Sequence, residues 1–158
     1  MKLLRNAVAA MFAALLVIAT PAFASDISIT AANVLPGAGA VTEDGVSGAT
    51  ITAGQVVYRD SDGSYKLADC NGASATIRTP RGIALNGASS GQPLRVQTAG
   101  DITIGGTLTA GTAYYLSGTP GGIRPVADNT TGDYPSVLGI SSSTTVLRLS
   151  IKYSGVSL

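Results

Sequence analysis

The clearest pattern along the chain is an alternation of apolar and polar residues near its end, within a strand predicted over residues 144–153. Successive side chains of a β-strand point to opposite faces, so this alternation indicates a strand with one buried face. A shorter strand of the same kind is predicted at residues 94–98. The predicted sides of the last strand are Leu147, Leu149, Ile151 and Tyr153 on the buried face, and Val146, Arg148, Ser150 and Lys152 on the other.

One phrase occurs twice in the chain. The run GATITAGQVVY at residues 48–58 returns as GGTLTAGTAYY at residues 105–115, with six of the eleven positions identical. Further matches follow in the same order, including RGIAL against LGISS and PLRVQ against VLRLS. Self-similarity of this kind indicates a duplicated structural unit. Residues 48–100 and 105–155 are therefore predicted to be two similar β units of about 55 residues each.

Both copies predict the same local structure. A Thr-rich strand is followed by an Ala-Gly turn, in which glycine tolerates positive φ. A second strand then leads into a hairpin turn, with the sequence DSDG in the first copy and TPGG in the second. The predicted strands are residues 49–52, 55–58 and 64–67 in the first copy, and residues 106–109, 112–115 and 123–126 in the second.

The start of the chain has the pattern of an export signal. Two basic residues precede an apolar run at residues 7–20, and the small-x-small sequence Ala-Phe-Ala ends at Ala24. Residues 1–24 are thus predicted to be a signal-peptide-like apolar helix. Cleavage after Ala24 and retention of the helix in the mature protein are both open at this point.

Composition favours strands and turns over helices in the rest of the chain. Only 12% of the residues are charged, 20 are glycine and aromatic residues are sparse, whereas long helices are usually rich in Ala, Glu, Lys, Leu and Arg. Residues 25–47 have a strand-like start at 26–30 and several Pro and Gly, which indicates an N-terminal strand or extended arm. The predicted fold is all-β: a compact β-sandwich or barrel formed by residues 48–158, with no helix beyond a turn or two.

The residues of the usual catalytic and metal sites are sparse. The chain has no histidine, one cysteine (Cys70), and none of the nucleophile-elbow, phosphate-loop or dinucleotide fingerprints. Asp60 and Asp62 resemble the start of a calcium loop, with Asp69 and Asp128 as conceivable distant ligands, but the remaining ligand positions are missing. Because Asp and Gly are typical of hairpin turns, the turn interpretation is favoured. We predict no enzyme activity, no catalytic, cofactor or metal site, and a structural thiol at Cys70.

Charge gives no reason to expect nucleic-acid binding. Without residues 1–24 the chain has 8 basic and 9 acidic residues, a formal net charge of −1, and the basic residues are scattered singly. Nor do the residues indicate a small-molecule substrate. The aromatic residues after Ala24 are predicted to be core or subunit-contact residues: Tyr58, Tyr65, Tyr114, Tyr115, Tyr134 and Tyr153.

Several phrases resemble small β-rich virion proteins of tailed bacteriophages, of the kind that decorate or cement the capsid. They are ITAGQVVY, the stretch from LADCNGASATIRTPRGIALNG to GTAYYLSGTPGGIRPVAD, and the terminal GDYPSVLGISSSTTVLRLSIKYSGV. The resemblance implies a β-sandwich or barrel without an active site. It also implies binding to the major capsid protein on the outer surface of the head shell, a homo-oligomer such as a trimer, and an arm at residues 25–47 that reaches neighbouring subunits.

The signal-like start does not fit capsid assembly in the cytoplasm. Three explanations are open: an apolar anchor that is retained, a gene start placed upstream of the true one, or export of the β module. The two functions predicted are accordingly a capsid decoration protein located in the virion, and an exported bacterial surface or adhesin-like module. The second would be secreted, periplasmic or at the cell surface after cleavage following Ala24.

Overall fold

The computed structural model describes residues 25–158, and these residues form a curled antiparallel sheet that resembles half of a barrel. The predicted all-β character is confirmed. In the described part of the chain the helical segments are one turn each: α1 (Ala75–Arg78) and 3-10 turns at Ala31–Asn33 and Val126–Asp128. The strands are β1 (Val34–Pro36), β2 (Val41–Val46), β3 (Val56–Arg59), β4 (Tyr65–Leu67), β5 (Gly82–Ala84), β6 (Pro93–Ile104), β7 (Ala113–Leu116), β8 (Ile123–Pro125), β9 (Ser136–Ser141) and β10 (Val146–Tyr153).

The strand order across the sheet is β4-β3-β5-β6-β10-β9-β7-β8. The long strand β6 lies at its centre, and its first half pairs with β2 and β5 while its second half pairs with β1 and β10. The two ends of the sheet also meet. The Gly121 amide donates to the Ala68 carbonyl at 2.7 Å, and the Cys70 amide donates to the Ser117 carbonyl at 3.0 Å. These bonds hold the sheet in its curled shape.

The strands with the clearest sequence signals form where they were predicted. In β10, Leu147 and Leu149 are buried while Arg148 between them is exposed, so the predicted alternation is confirmed. The strands after each Ala-Gly turn, β3 and β7, are shifted by one residue from their predicted bounds. Both hairpins also form, with β3 paired to β4 and β7 paired to β8. The one strand that is much longer than predicted is β6.

The Thr-rich segments at residues 49–52 and 106–109 are not strands, so this prediction was wrong. In the first, only Ile51 pairs, through two hydrogen bonds with Ala88; in the second, the Leu108 amide donates to the Thr144 carbonyl. Each segment inserts one apolar side chain into a core, but its backbone does not make the repeated strand-to-strand hydrogen bonds of a ladder. The turns that follow are as predicted, since Gly54 has φ +92° and Gly111 has φ +78°.

The N-terminal segment from residue 25 packs on the sheet of its own chain. Residues 26–30 are not a strand, but the Ile27 amide donates to the Ile123 carbonyl at 2.9 Å and the Thr30 amide to the Gly105 carbonyl at 2.8 Å. Ile27 and Ile29 pack against the main core. The residues after Thr30, which were predicted to belong to an N-terminal strand or extended arm, contain β1 and β2, because the long β6 offers them an edge to pair with. The predicted signal helix at residues 1–24 lies outside the described residues.

Apolar side chains are buried on both faces of the sheet. Val56 and Ile83 point into a main core, and their neighbours Val57 and Ala84 point into a second core on the other face. Since β3 and β5 bury both faces, they read as continuous apolar runs without alternation. The second core consists of Ile51, Val57, Tyr65, Ala84, Ala88, Leu94 and Val96.

Within residues 25–158, none of the helices has the length and apolar character needed to cross a membrane.

Candidate functional site

The Asp-rich hairpin turn between β3 and β4 is held by its own carboxylates. Asp62 Oδ1 accepts hydrogen bonds from the Ser64 amide at 2.8 Å and from the Ser64 hydroxyl at 2.6 Å. Asp60 accepts from Lys66, and this hydrogen bond lowers the pKa of the Asp60 carboxyl below its ordinary value. Both carboxylates thus serve the turn, in agreement with the favoured interpretation.

The other two conceivable calcium ligands lie elsewhere in hydrogen bonds of their own. Asp69 Oδ1 accepts from the Asn71 amide at 2.8 Å, and Asp128 Oδ2 accepts from the Ser25 amide at 3.1 Å. Among residues 25–158, no group of three or more Cys, Asp or Glu side chains is placed to hold a metal ion. The structure therefore does not bring the four carboxylates together.

A buried ion pair is the feature that sequence reasoning missed. Arg124 on β8 and Asp133 before β9 are 3% and 2% exposed in their side chains, and Arg124 Nη2 donates to Asp133 Oδ2. The same oxygen accepts from the Thr130 amide at 2.7 Å and from the Thr130 hydroxyl at 3.0 Å. Cys70 Sγ lies 3.3 Å from Arg124 Nη2. These contacts connect the loop before β9 to the β7–β8 hairpin.

The environment of Asp133 keeps its carboxyl ionised. Burial raises the pKa of Asp133, but the hydrogen bonds from Thr130 and Arg124 outweigh burial, so the net pKa lies below its ordinary value. An ionised carboxylate compensates the Arg124 charge inside the protein. The arrangement is suited to holding a fold together.

Burial also controls the chemistry of Cys70. The thiol is fully buried, and burial raises its pKa to about 12 although the Arg124 charge acts in the opposite direction. Because the thiolate is the nucleophile, a thiol with such a pKa is unreactive near pH 8. The predicted structural role of Cys70 agrees with this environment.

We expect a thiol-specific disulfide reagent to leave Cys70 unmodified in the folded protein at pH 8, and to react with it rapidly in denaturant. Labelling in native buffer should proceed only as fast as the protein unfolds. Ser90→Cys is a suitable control because position 90 is exposed, so this variant should take up one equivalent at once. Immediate labelling of the parent protein would show that Cys70 is accessible.

A polar cluster ties β2 to β4 and β5. Arg81 donates two hydrogen bonds of 2.7 Å to the Glu43 carboxylate, and the Tyr65 hydroxyl donates to Glu43 Oε1 at 2.6 Å. The Arg81 hydrogen bond lowers the pKa of Glu43, whereas burial and the neighbouring Glu43 raise the pKa of Tyr65 to about 12. All three groups have a structural partner.

Half of the tyrosines predicted to be core or contact residues are buried. Tyr58, Tyr65 and Tyr114 are at most 7% exposed. Tyr134 lies under the Arg78 guanidinium, with 3.8 Å between the guanidinium carbon and the ring centroid. Tyr115 and Tyr153 are half-buried. The half-buried rings are not grouped into a flat aromatic platform in any of the cavities described below.

The cavities are shallow and open. One of about 370 Å³ lies between the N-terminal segment and the two turns at Gly54 and Gly121, and Asp26 is the only ionisable residue in its wall. Another of about 580 Å³ near Gly105 is lined by Ser, Thr, Asn and Gly. Neither wall contains the convergent titratable groups that an active site usually shows.

One open and partly apolar surface is what we call the outer face: the solvent side of β1, β9, β10, the second half of β6 and the start of β2. Leu35 and Ile140 on this face are 58% and 55% exposed. At its centre Arg148 Nε donates to Asp101 Oδ1 at 2.9 Å, directly across the β6–β10 pair. A shallow cavity of about 310 Å³ beside this ion pair is lined by Ile140, Ser141, Ser142, Arg148 and Ser150.

A scan against models of known protein families finds no match for this chain, and a search of curated proteins finds none either.

Proposed function

We propose that the protein is a non-enzymatic structural protein of a tailed bacteriophage that binds the outer surface of the head shell and stabilises it. The observation that carries the proposal is the all-β character of the curled sheet, since the sequence resemblance implies an all-β fold. The potentially reactive or metal-binding side chains also support the proposal, because each of them is engaged in a turn or in buried packing. They are Asp60, Asp62, Cys70 and Asp133. In this proposal the protein has no cofactor and no small-molecule substrate.

We further propose that the fold arose from a duplicated unit, as the repeated phrase predicts. Two series of strands in mirrored order support this: β4-β3-β5-β6 on one side and β8-β7-β9-β10 on the other. The hydrogen bonds at the repeated turns also correspond. The Gly54 amide donates to the Ala84 carbonyl at 2.8 Å, and 57 residues later the Gly111 amide donates to the Ser141 carbonyl at 2.9 Å.

Two ion pairs extend the correspondence to strands outside the repeated phrase. Arg95 pairs with Asp44 across β2 and β6, and Arg148 pairs with Asp101 across β6 and β10. Asp101 again lies 57 residues after Asp44. In the proposed duplication β6 therefore belongs to both units: its first half closes the first unit and its second half opens the next. Asp44 lies in the segment 25–47, so part of the proposed arm would belong to the first unit.

The proposed location is the virion, with the major capsid protein as the partner and a homo-oligomer, for example a trimer, as the binding form. The second candidate function is that of an exported surface or adhesin-like β module. The signal-like pattern of residues 1–24 favours this candidate. In both cases a rigid sheet presents its surface to a macromolecular partner.

Mass spectrometry of virions from the native source tests the proposal. We expect the protein in purified particles at a fixed ratio to the major shell protein, and we expect washing at high salt to leave that ratio unchanged. Absence from the particles, together with an intact mass that lacks the first 24 residues, would replace the decoration protein by the exported module. Free chain added to the culture and removed by the same wash is the control for adventitious attachment.

A further inference from the structure

The outer face of the second unit corresponds to a surface that the first unit buries. Val56 and Ile83 pair directly across β3 and β5, and with Tyr58 they pack in the main core at 0–7% exposure. The pair 57 residues later is Ala113 and Ile140, across β7 and β9. Ala113 is half-buried and Ile140 is 55% exposed. The first unit thus buries Val56 and Ile83 in the main core, whereas the second unit leaves the corresponding residues, Ala113 and Ile140, half-buried and exposed.

Further apolar side chains adjoin Ile140 on the same face. Val146 on β10 lies opposite Thr103 of β6, and Leu35 of β1 lies on the other side of that same threonine. Val41 of β2 is opposite Ala99 of β6. Three of the seven large apolar residues that are exposed in the described chain, namely Leu35, Val41 and Ile140, therefore share this face. These side chains lie around Asp101, Thr103 and Arg148 on one face, and exposed apolar side chains grouped on one face mark an interaction site more often than scattered single residues do.

The charges on the outer face suit contact with an identical face. Arg148 and Asp101 lie side by side at its centre and neutralise each other. In a two-fold symmetric contact, the same patch meets itself, so it must be complementary to its own charges. One acid and one base flanked by apolar residues satisfy this condition, because Arg148 of one copy can reach Asp101 of the other.

We propose that the outer face is the site at which a second copy of this chain docks, with Arg148 and Asp101 exchanged between copies at the centre of the contact and Ile140 beside them. The inference uses the two-unit duplication proposed above. It deepens the proposed function and rests on it, because it assigns a surface to the homo-oligomer proposed there and makes that oligomer a two-fold dimer in place of the trimer given as an example. The partner is a second copy because the face contains one base and one acid, Arg148 and Asp101, so an identical face supplies each of them with the opposite charge.

Sedimentation equilibrium of the chain expressed from its full sequence tests this proposal. We expect a monomer–dimer equilibrium over about 1 to 100 µM, and Ile140→Asp should raise the dimer Kd by about tenfold or more. Val156→Asp is the matched control, since Val156 is 67% exposed but lies in the C-terminal tail; its Kd should equal that of the parent. Because Ile140 and Val156 are both exposed, both variants should retain the melting temperature of the parent.

A charge exchange tests the geometry of the contact. Arg148→Asp should weaken the dimer because carboxylates then face one another, and adding Asp101→Arg should restore it. A chain that is monomeric at every concentration would overturn the proposal, as would a dimer that Ile140→Asp weakens no more than Val156→Asp does. Loss of shell binding by Ile140→Asp with no change in oligomeric mass would also overturn it, since the outer face would then bind the shell. Dimers through this face without any shell binding would support the inference and contradict the proposed function.

Discussion

Asp133→Ala is expected to lower the free energy of unfolding by about 3–5 kcal/mol, because it leaves the Arg124 guanidinium buried without a counter-charge. The variant removes the acceptor for both Thr130 hydrogen bonds as well. Urea denaturation followed by circular dichroism measures the effect. The midpoint should fall while the slope stays unchanged, since the surface exposed on unfolding is nearly the same.

Two comparisons separate charge burial from simple loss of packing. Asp44→Ala breaks an exposed ion pair and should leave the midpoint near that of the parent. The double variant Arg124→Met with Asp133→Leu removes both charges, and it should recover most of the lost stability because apolar side chains replace a desolvated pair. A double variant as unstable as Asp133→Ala would mean that packing, and not the unpaired charge, dominates.

The same pair predicts how stability depends on pH. The pKa of Asp133 is lowered in the folded protein relative to its ordinary value of 3.8. A lowered carboxyl pKa contributes stability that is present above the unfolded value and is lost as the pH falls through the folded value. The difference in unfolding free energy between the parent and Asp133→Ala should therefore be constant at neutral pH and shrink below about pH 4. A difference that grows on acidification would contradict this assignment.

Gly100→Ala is the second substitution with a large expected effect, a loss of about 3–5 kcal/mol in unfolding free energy. Gly100 has φ +85°, and a Cβ there would lie 2.1 Å from the Gly39 carbonyl oxygen, which belongs to the backbone. The residue sits where β6 passes from the pairing with β2 and β5 to the pairing with β1 and β10. A displaced backbone at this point disturbs the pairing on both sides.

Gly91→Ala is the control for the backbone conformation alone. Gly91 has φ +84°, but nothing lies within 4 Å of a Cβ built there. It should lose only the roughly 1–2 kcal/mol that a left-handed conformation costs an L-residue. Equal losses in both variants, measured by urea denaturation, would show that the close approach of Gly39 has no energetic consequence.

The sequence predicted the elements whose signals are local. Alternation in β10 and the glycines of the repeated turns depend on a few neighbouring residues, and they were placed correctly. The Thr-rich segments failed because β propensity gives no information on whether a partner strand is present. The length of β6 was underestimated because its second half contains Gly100 and Asp101, which are rare in strands. The side chain of Gln97 explains in part why the strand continues through Gly100. Its amide donates to the carbonyls of Ala99 and Asp101, on both sides of that glycine.

The buried ion pair of Arg124 and Asp133 could not be predicted from the sequence. The sequence predicts a hairpin strand around Arg124, and Asp133 lies in the turn-like sequence before β9. They meet because the hairpin and the loop fold toward each other, which depends on tertiary packing. The outer face could be predicted from the sequence only in part. The solvent side of β10 was predicted correctly, but Leu35 and Val41 on the same face fall in residues 25–47, which were predicted to be an N-terminal strand or extended arm without any pairing to β6.

The N-terminal segment, finally, constrains the order in which the newly made chain folds. The amide of Ile27 binds the carbonyl of Ile123, 96 residues later, and Ile27 and Ile29 find their apolar neighbours across the same distance. During translation this segment leaves the ribosome early, directly after residues 1–24, yet its docking site is complete only after most of the chain has emerged. The segment that follows Ala24 can therefore dock only once Ile123 has been synthesised. Until then its docking site in the same chain is incomplete, and the segment is open to proteases, chaperones or a processing enzyme.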